Sequence, residues 1–185
     1  VITRDDNHKS FNEPISAIRS ATDRAANLTR KLLTFAQTNQ QQLGLIDVNK
    51  VINDIEPVLR QSIEERIVLA IEKPKDSLWI KSKASDVEQI ILNLVLNARD
   101  AISETGMILI RLFEEEKSLF LVVEDNGHGM DDAIQQKMFD PFFTTKETLG
   151  GHGLGLTTAL SLVRSLNGVM TVKSQPDEGL SLIHI

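Results

Sequence analysis

Apolar residues recur in the N-terminal part of the chain with the spacing of a helix. From Pro14 onwards they are separated alternately by three and four residues, at Ile18, Ala21, Ala25, Leu28, Leu32 and Phe35. Such a heptad stripe favours a helix that packs against a partner helix, although an amphipathic helix packed on its own domain is the alternative. The Gln- and Asn-rich stretch at 37–42, closed by Gly44, predicts the end of this helix and a linker.

The rest of the chain alternates between helical and strand patterns. Three helices are predicted: 49–62, 85–103, and one from Leu154 to a stop signal at Asn167-Gly168. Pro57 should kink the first of them. Ser85 and Glu88 have the spacing of a capping box. Strands are predicted at 66–71, 78–80, 107–113, 118–124, 169–174 and 180–185, with a Gly-rich irregular region at 125–153. These elements predict an α/β fold, a two-layer sandwich in which helices back a mixed sheet.

Composition and charge exclude several function classes. The chain has 185 residues and a net charge of -6, so no basic field favours nucleic acid or an anionic membrane. It has no cysteine, which excludes disulfides and thiolate metal sites. Without a leader or an apolar run of about 18 residues, we expect a cytoplasmic chain that makes no membrane contact itself. Because it begins at Val1 and stops within a predicted strand, we expect a fragment of a longer protein. The sequence is compatible with a parent protein that is anchored in a membrane and with one that is not.

Two amides lie on one face of the predicted helix at 85–103. Asn93 and Asn97 are four residues apart, and the neighbouring positions are strongly apolar. Amides on an apolar helix are unfavourable unless they have partners. A hard cation such as Mg²⁺, shared with substrate phosphates, would supply one. Capping or bridging of neighbouring loops by these amides is the alternative.

Two Gly-rich segments carry further candidate chemistry. Asp125 follows an apolar strand and precedes Gly127, Gly129 and Met130. This order favours a carboxylate that accepts a hydrogen bond from the amino group of a bound ring. A simple Asp-Asn-Gly turn is the alternative. Glycines at 150–155 precede a helix, an arrangement that can cradle phosphate. No Walker lysine follows them. Between the two segments, the aromatic residues, hydroxyls and lysine of 139–146 predict a lid over phosphates, or a surface loop pinned by its phenylalanines.

Taken in series, these four segments closely resemble the N, G1, F and G2 boxes of the ATP-binding catalytic domain of sensor histidine kinases. That domain shares its Bergerat-type fold with gyrase, Hsp90 and MutL. The resemblance covers residues 47–185, and residues 24–35 resemble the second helix of the kinases' dimerisation domain. Asn-Ala-Arg-Asp-Ala from Asn97 and Asp-Pro-Phe-Phe-Thr-Thr-Lys from Asp140 are specific to the kinases. We therefore divide the chain into a partial dimerisation and phosphotransfer region at 1–46 and a catalytic domain at 47–185.

The resemblance implies a role for each matched residue. Asn97 would ligate Mg²⁺ with Asn93 beside it, and Asp125 would accept a hydrogen bond from the adenine amino group. Phe142 and Phe143 would anchor the lid. The residues expected to bind ATP are Asn93, Asn97, Asp100, Asp125, Gly127, Gly129, Met130, Phe142, Thr145, Lys146, Gly151, His152, Gly153, Leu154 and Gly155.

The chain departs from the family pattern at three positions. Lys9 stands where the phospho-acceptor histidine would be, and His8 is one residue away. We infer that residues 1–13 are the loop before the second dimerisation helix, so the acceptor helix is absent and no catalytic residue is assignable. Loss of the histidine by mutation is the alternative. Leu180 follows Gly179 where a threonine is usual, and Asp100 stands where many relatives have a lysine.

The function implied is transfer of the γ-phosphoryl group of ATP to a histidine outside this chain, with relay to the receiver domain of a response regulator. A homodimer through the N-terminal helix is expected in the full-length protein, and nucleic acid is not an expected partner. Two alternatives remain. One is a nucleotide-binding regulatory module, or pseudo-kinase, without phosphotransfer. The other is a gyrase- or MutL-like ATPase, which is disfavoured because Asn93 occupies the place of the expected catalytic glutamate.

Overall fold

A five-stranded mixed sheet organises the residues that the computed structural model describes, 43–145, 153–176 and 179–183. The predicted N-terminal helix and the Gln- and Asn-rich stretch at 37–42, together with Lys146, Gly151 and His152, lie outside these residues. In chain order the elements are β1 (Gly44–Asp47), α1 (Val48–Ser62), β2 (Ile67–Glu72), β3 (Trp79–Ser82), α2 (Ala84–Ala101), β4 (Gly106–Glu115), β5 (Ser118–Asp125), α3 (Asp132–Lys137), α4 (Gly155–Ser165), β6 (Thr171–Gln175) and β7 (Gly179–Ile183).

The main sheet has the strand order β2-β4-β5-β7-β6. Strand β2 runs parallel to β4, and the other neighbours are antiparallel. A second, two-stranded sheet pairs β1 with β3, so that Gly44 lies opposite Ser82. This topology places the end of β5 beside the start of β7, where Asp125 pairs with Leu180.

The core lies between one face of the main sheet and helices α1, α2 and α4. Alternate residues of β4 are buried (Ile108, Ile110 and Leu112), as a strand with one covered face requires. The helices contribute buried residues to the same cluster, such as Ile52, Ile91 and Val163. On the opposite face of the sheet, Val68 and Met107 are exposed. The predicted two-layer α/β sandwich with a mixed sheet is therefore confirmed.

Two predicted helix ends had different outcomes. The stop signal after α4 is confirmed: Asn167 adopts a left-handed φ of 59°, its N–H donates to Arg164, and Gly168 N–H donates to Val163 at 2.9 Å. This is a Schellman termination. The prediction of a capping box at Ser85 was wrong. Helix α2 begins one residue earlier, at Ala84, with Lys83 in the N-cap position and no capping hydrogen bond from a side chain.

Two elements were missed by the sequence patterns. Strand β1 was missed, because four residues carry little alternation and its partner β3 lies more than 30 residues away. The sequence patterns predicted a linker closed by Gly44 and no element between that glycine and residue 49. Helix α3 lies within the region predicted to be irregular. Asp131 caps it by accepting a hydrogen bond from Ile134 N–H at 2.8 Å, and its six residues are too few to show a helical period.

Candidate nucleotide-binding site

The start of α4 lies directly against the amide face of α2. A Cβ built on Gly155 would lie 3.7 Å from both terminal atoms of the Asn97 amide and 3.9 Å from Asn93 Oδ1. The two segments are separated by more than 50 residues in sequence, and the packing of α4 on α2 brings them together. The structure thus places the predicted amide pair beside Gly155, the last glycine of the predicted phosphate loop.

The two amides have incomplete hydrogen bonding. Asn93 Oδ1 accepts from Gln89 Nε2 at 3.0 Å. Nδ2 of Asn93 and Nδ2 of Asn97 are both buried without a hydrogen-bond partner among the described residues. An unsatisfied buried donor costs about 1–3 kcal/mol, so a pair of them marks a place where a ligand is expected. Reversing the Asn97 amide would present its oxygen at the same place, and so would reversing Asn93 together with Gln89, which preserves their hydrogen bond.

These amides fit a magnesium ion shared with phosphate. Amide oxygens are hard ligands, and Mg²⁺ commonly takes only one or two ligands from the protein when phosphates complete its shell. The described residues include no cluster of three or more His, Asp or Glu that would hold a metal by itself. A cation at Asn93 and Asn97 would therefore need oxygens from a bound nucleotide.

The N-terminus of α4 has no side-chain cap. Leu154 occupies the N-cap position without a capping hydrogen bond, and its carbonyl accepts from Thr158 N–H at 3.0 Å. The N–H groups of a first helical turn have no partner within the helix, and the helix dipole adds positive charge there. Beside two asparagine amides, this end of α4 is suited to hold phosphate oxygens.

Asp125 closes β5 at the edge of the same region. Asp125 is 8% exposed, and its Oδ1 accepts a hydrogen bond from Gly127 N–H at 2.8 Å. The chain then returns to the end of α2, where His128 N–H donates to Ala101 at 3.1 Å. A Cβ on Gly127 would lie 2.6 Å from that same carbonyl oxygen, so only glycine fits. The Asp-Asn-Gly turn is therefore formed, and it keeps a buried carboxylate at the end of the strand.

The loop after Asp125 is attached to the β6–β7 hairpin. Gly129 has a φ of 61°, and a Cβ there would overlap the carbonyl oxygen of Gln175. Met130 N–H donates to Ser174 Oγ at 2.9 Å. Gln135 Nε2 donates to the carbonyls of Met130 at 3.1 Å and Ser174 at 2.9 Å. Sequence reasoning missed Ser174 and Gln135, because a serine in a strand and a glutamine in a short helix carry no local signal.

The lid segment contacts α4 through its backbone. Phe142 N–H donates to the Gly153 carbonyl at 3.1 Å, and a Cβ on Gly153 would overlap the backbone of Phe142 and Phe143. The ring of Phe142 is 73% exposed. The contact with Gly153 is therefore made by the backbone, which holds Phe142 at a φ of 67°, and not by the exposed Phe142 side chain.

The remaining predicted residues border this region. Asp100 lies one helical turn beyond Asn97 on the same face of α2, and it pairs with Arg99 at 2.5 Å. Arg99 also donates to the Ser62 carbonyl at 2.9 Å. Met130 is half-buried, and Thr145 is exposed. A carboxylate at position 100 adds negative charge near the predicted phosphates, which makes it unfavourable as a direct phosphate ligand.

One titrating group on α2 lies away from these residues. Burial raises the pKa of the Glu88 carboxyl, and the nearby charge of Asp54 on α1 raises it further. Both effects disfavour the ionised form. Glu88 faces α1, whereas Asn93 and Asn97 face α4, so this carboxyl is not assigned to the nucleotide site.

Comparisons with known proteins identify the family. Residues 82–185 match the family model described as histidine kinase-, DNA gyrase B-, and HSP90-like ATPase. The sensor kinase CckA of Brucella abortus (strain 2308) is 31% identical over 180 residues, which cover 89% of this chain and 19% of that protein. The chain covers between 19% and 29% of the length of four curated relatives. In the part of the chain that is described, no helix has the length and apolar character to cross a bilayer.

Solved structures show the same fold. The mycobacterial sensor histidine kinase MprB has a TM-score of 0.65 at 22% identity, covering 77% of this chain and 95% of that one. The histidine kinase ThkA, in a complex with the response regulator protein TrrA, has a TM-score of 0.71 at 20% identity. That match covers 97% of this chain and 52% of ThkA.

Proposed function

This chain belongs to the histidine kinase-, DNA gyrase B-, and HSP90-like ATPase family, and we propose that it is the ATP-binding catalytic domain of a sensor histidine kinase. One observation carries the proposal. The Nδ2 atoms of Asn93 and Asn97, which are buried and lack a hydrogen-bond partner among the described residues, lie beside the uncapped N-terminus of α4 at Gly155. An amide pair able to hold a cation, placed beside backbone groups able to hold phosphate, is the arrangement that a magnesium–nucleotide complex requires.

Each part of this site has a distinct task in the proposal. Asn97 and Asn93 hold Mg²⁺, which supplies positive charge to offset the phosphates. The backbone N–H groups at the start of α4 hold phosphate oxygens, and Asp125 accepts a hydrogen bond from the adenine amino group. Lys146 and the amides around Gly151, Gly153 and Gly155 complete the phosphate site. Phosphoryl transfer depends mainly on such positioning and charge stabilisation.

The proposed reaction transfers the γ-phosphoryl group to a histidine outside this chain. The bond from the γ-phosphorus to the bridging oxygen breaks, a bond to an imidazole nitrogen forms, and ADP leaves. We further propose relay to the aspartate of a response regulator, and dimerisation of the full-length protein through the N-terminal helix. The ThkA complex with a response regulator supports the choice of partner, since ThkA shares the fold of this chain.

Two measurements test this proposal. Calorimetric titration of the 185-residue chain with ATP and Mg²⁺ should show binding that falls at least tenfold in Asn97→Ala, because the amide ligand is lost. Asn53→Ala, on α1, is the matched control and should bind like the wild type. Labelled ATP should then transfer phosphate to a separate dimerisation domain that carries its histidine. Normal ATP binding without transfer would refute the kinase activity, and no binding at millimolar ATP would refute the nucleotide site.

A second candidate is a nucleotide-binding regulatory module without phosphotransfer. The carboxylate of Asp100 favours it, because that group lies on the helix face of Asn93 and Asn97 and repels phosphate. Asp100→Lys separates the candidates. A kinase should gain ATP affinity and retain transfer in this variant, whereas a regulatory module should gain affinity and still transfer nothing. Steady ATP hydrolysis without a histidine acceptor would instead favour a gyrase-like ATPase.

A further inference from the structure

A single hydroxyl connects the end of the loop that follows β5 to strand β7. Ser174 Oγ accepts from Met130 N–H at 2.9 Å and donates to the Gly179 carbonyl at 2.6 Å. Met130 ends the Gly127–Met130 loop. Gly179 begins β7 and packs so closely on Asp125 that a Cβ would overlap the Asp125 carbonyl oxygen. Ser174 therefore connects the point where the loop ends to the strand that supports its beginning.

Gln135 holds the same two segments from the side of α3. Its Nε2 donates to the Met130 and Ser174 carbonyls, so both backbone groups of Met130 are hydrogen-bonded by these two side chains. Both residues are half-buried. We call these four hydrogen bonds the Ser174–Gln135 clasp. It joins the loop, α3 and the β6–β7 hairpin without any charged group.

We propose that Ser174 and Gln135 are positioning residues that hold the Gly127–Met130 loop and Asp125 in the shape that binds the nucleotide base. This rests on the proposed function, in which Asp125 contacts adenine. The Ser174 hydroxyl provides a side-chain hydrogen bond at Gly179 from the neighbouring strand.

The clasp should affect binding of the base more than the stability of the fold. Adenine presents an amino donor where guanine presents a carbonyl acceptor, so a well-placed carboxylate selects ATP over GTP. A displaced carboxylate loses part of this selection. The ratio of the dissociation constants for GTP and ATP does not depend on the fraction of folded protein. A merely structural role would leave that ratio unchanged.

The test uses the full 185-residue chain and four variants, with ATP and GTP titrated in the presence of Mg²⁺. Ser174→Ala removes the hydroxyl, and Gln135→Glu replaces the donor with an acceptor that faces two carbonyls. Losing one or two such bonds should weaken ATP binding by about three- to tenfold and lower the preference for ATP by a similar factor. Ser174→Thr keeps a hydroxyl in a residue that suits a strand, and it should bind within about twofold of wild type. Gln136→Ala, an exposed neighbour on α3, is the control and should change nothing.

Several outcomes would overturn the inference. It fails if Ser174→Ala and Gln135→Glu melt at lower temperature yet keep the wild-type affinities and ratio. It also fails if Ser174→Thr is as weak as Ser174→Ala, because the hydroxyl would then not be the cause. Should Ser174→Ala fail to fold, the comparison of Gln135→Glu with Gln136→Ala decides. A wild-type chain that binds no ATP refutes the proposed function itself, and the inference with it.

Discussion

Gly155→Ala should make the protein more stable and its ATP binding weaker. The added Cβ would lie 3.7 Å from the two terminal atoms of Asn97 and 3.9 Å from Asn93 Oδ1, which is ordinary van der Waals contact. Three such contacts contribute about 0.1–0.2 kcal/mol each. Because Gly155 does not have a positive φ, alanine fits its backbone and also reduces the conformational entropy of the unfolded chain, which contributes roughly 0.4–1 kcal/mol more. Together they raise the free energy of unfolding by about 1 kcal/mol, or the melting temperature by roughly 2–4 °C.

The same methyl group would occupy the space between the amide face of α2 and the start of α4. If Mg²⁺ and phosphate oxygens bind there, ATP affinity should fall more than tenfold, a loss of about 1.4 kcal/mol or more. Thermal unfolding without nucleotide measures the first effect, and calorimetric titration with ATP and Mg²⁺ measures the second.

Gly44→Ala is the matched control for this variant. A Cβ at that position has nothing within 4 Å, and Gly44 lies in β1, outside the proposed site. It should leave ATP affinity unchanged. The reasoning is refuted if Gly155→Ala binds ATP like the wild type, since the nucleotide would then not pass between the two helices. A fall in melting temperature would refute the packing argument instead.

Three further predictions follow from other contacts. Gly129→Ala should lower the free energy of unfolding by several kcal/mol in a denaturant titration, because its φ of 61° and its overlap with Gln175 both oppose a side chain; wild-type stability would contradict this. Glu88→Gln should raise the melting temperature at neutral pH. The pKa of the Glu88 carboxyl is raised in the folded state, so folded protein binds this proton more tightly than unfolded protein. Ionisation of the carboxyl above pH 4.5 therefore destabilises the folded state, and glutamine removes this effect. That gain should disappear as the pH falls below 4.5, and a gain that persists there would contradict the cause given. Ile91→Ala, at a fully buried position of α2, should destabilise by about 2–5 kcal/mol in urea; a loss below 1 kcal/mol would show that the core collapses around the cavity.

Local patterns were sufficient wherever the cause of a structure is itself local. The alternation of Ile108, Ile110 and Leu112 predicted β4, because a strand with one buried face repeats every two residues. Asn167-Gly168 predicted the end of α4, because a left-handed residue there supplies the hydrogen bonds that end a helix. The segments that resemble the kinase boxes identified the family, and the fold followed from it.

Tertiary structure decided the features that depend on distant partners. Strand β1 exists because β3 pairs with it, and the Phe142 ring points outward because its backbone packs on Gly153. Helix α2 begins at Ala84 without the predicted capping box. A capping box needs a particular backbone geometry, and the spacing of Ser85 and Glu88 does not reveal that geometry.

The candidate site divides in the same way. The sequence by itself predicted Asn93, Asn97, Asp125 and the glycines around them as site residues, because their segments, taken in series, resemble the kinase boxes. Only the folded chain placed Gly155 against the two amides and Ser174 between Met130 and Gly179. Hydrogen bonds of that kind join residues up to 44 positions apart, so their partners are set by sheet order and helix packing.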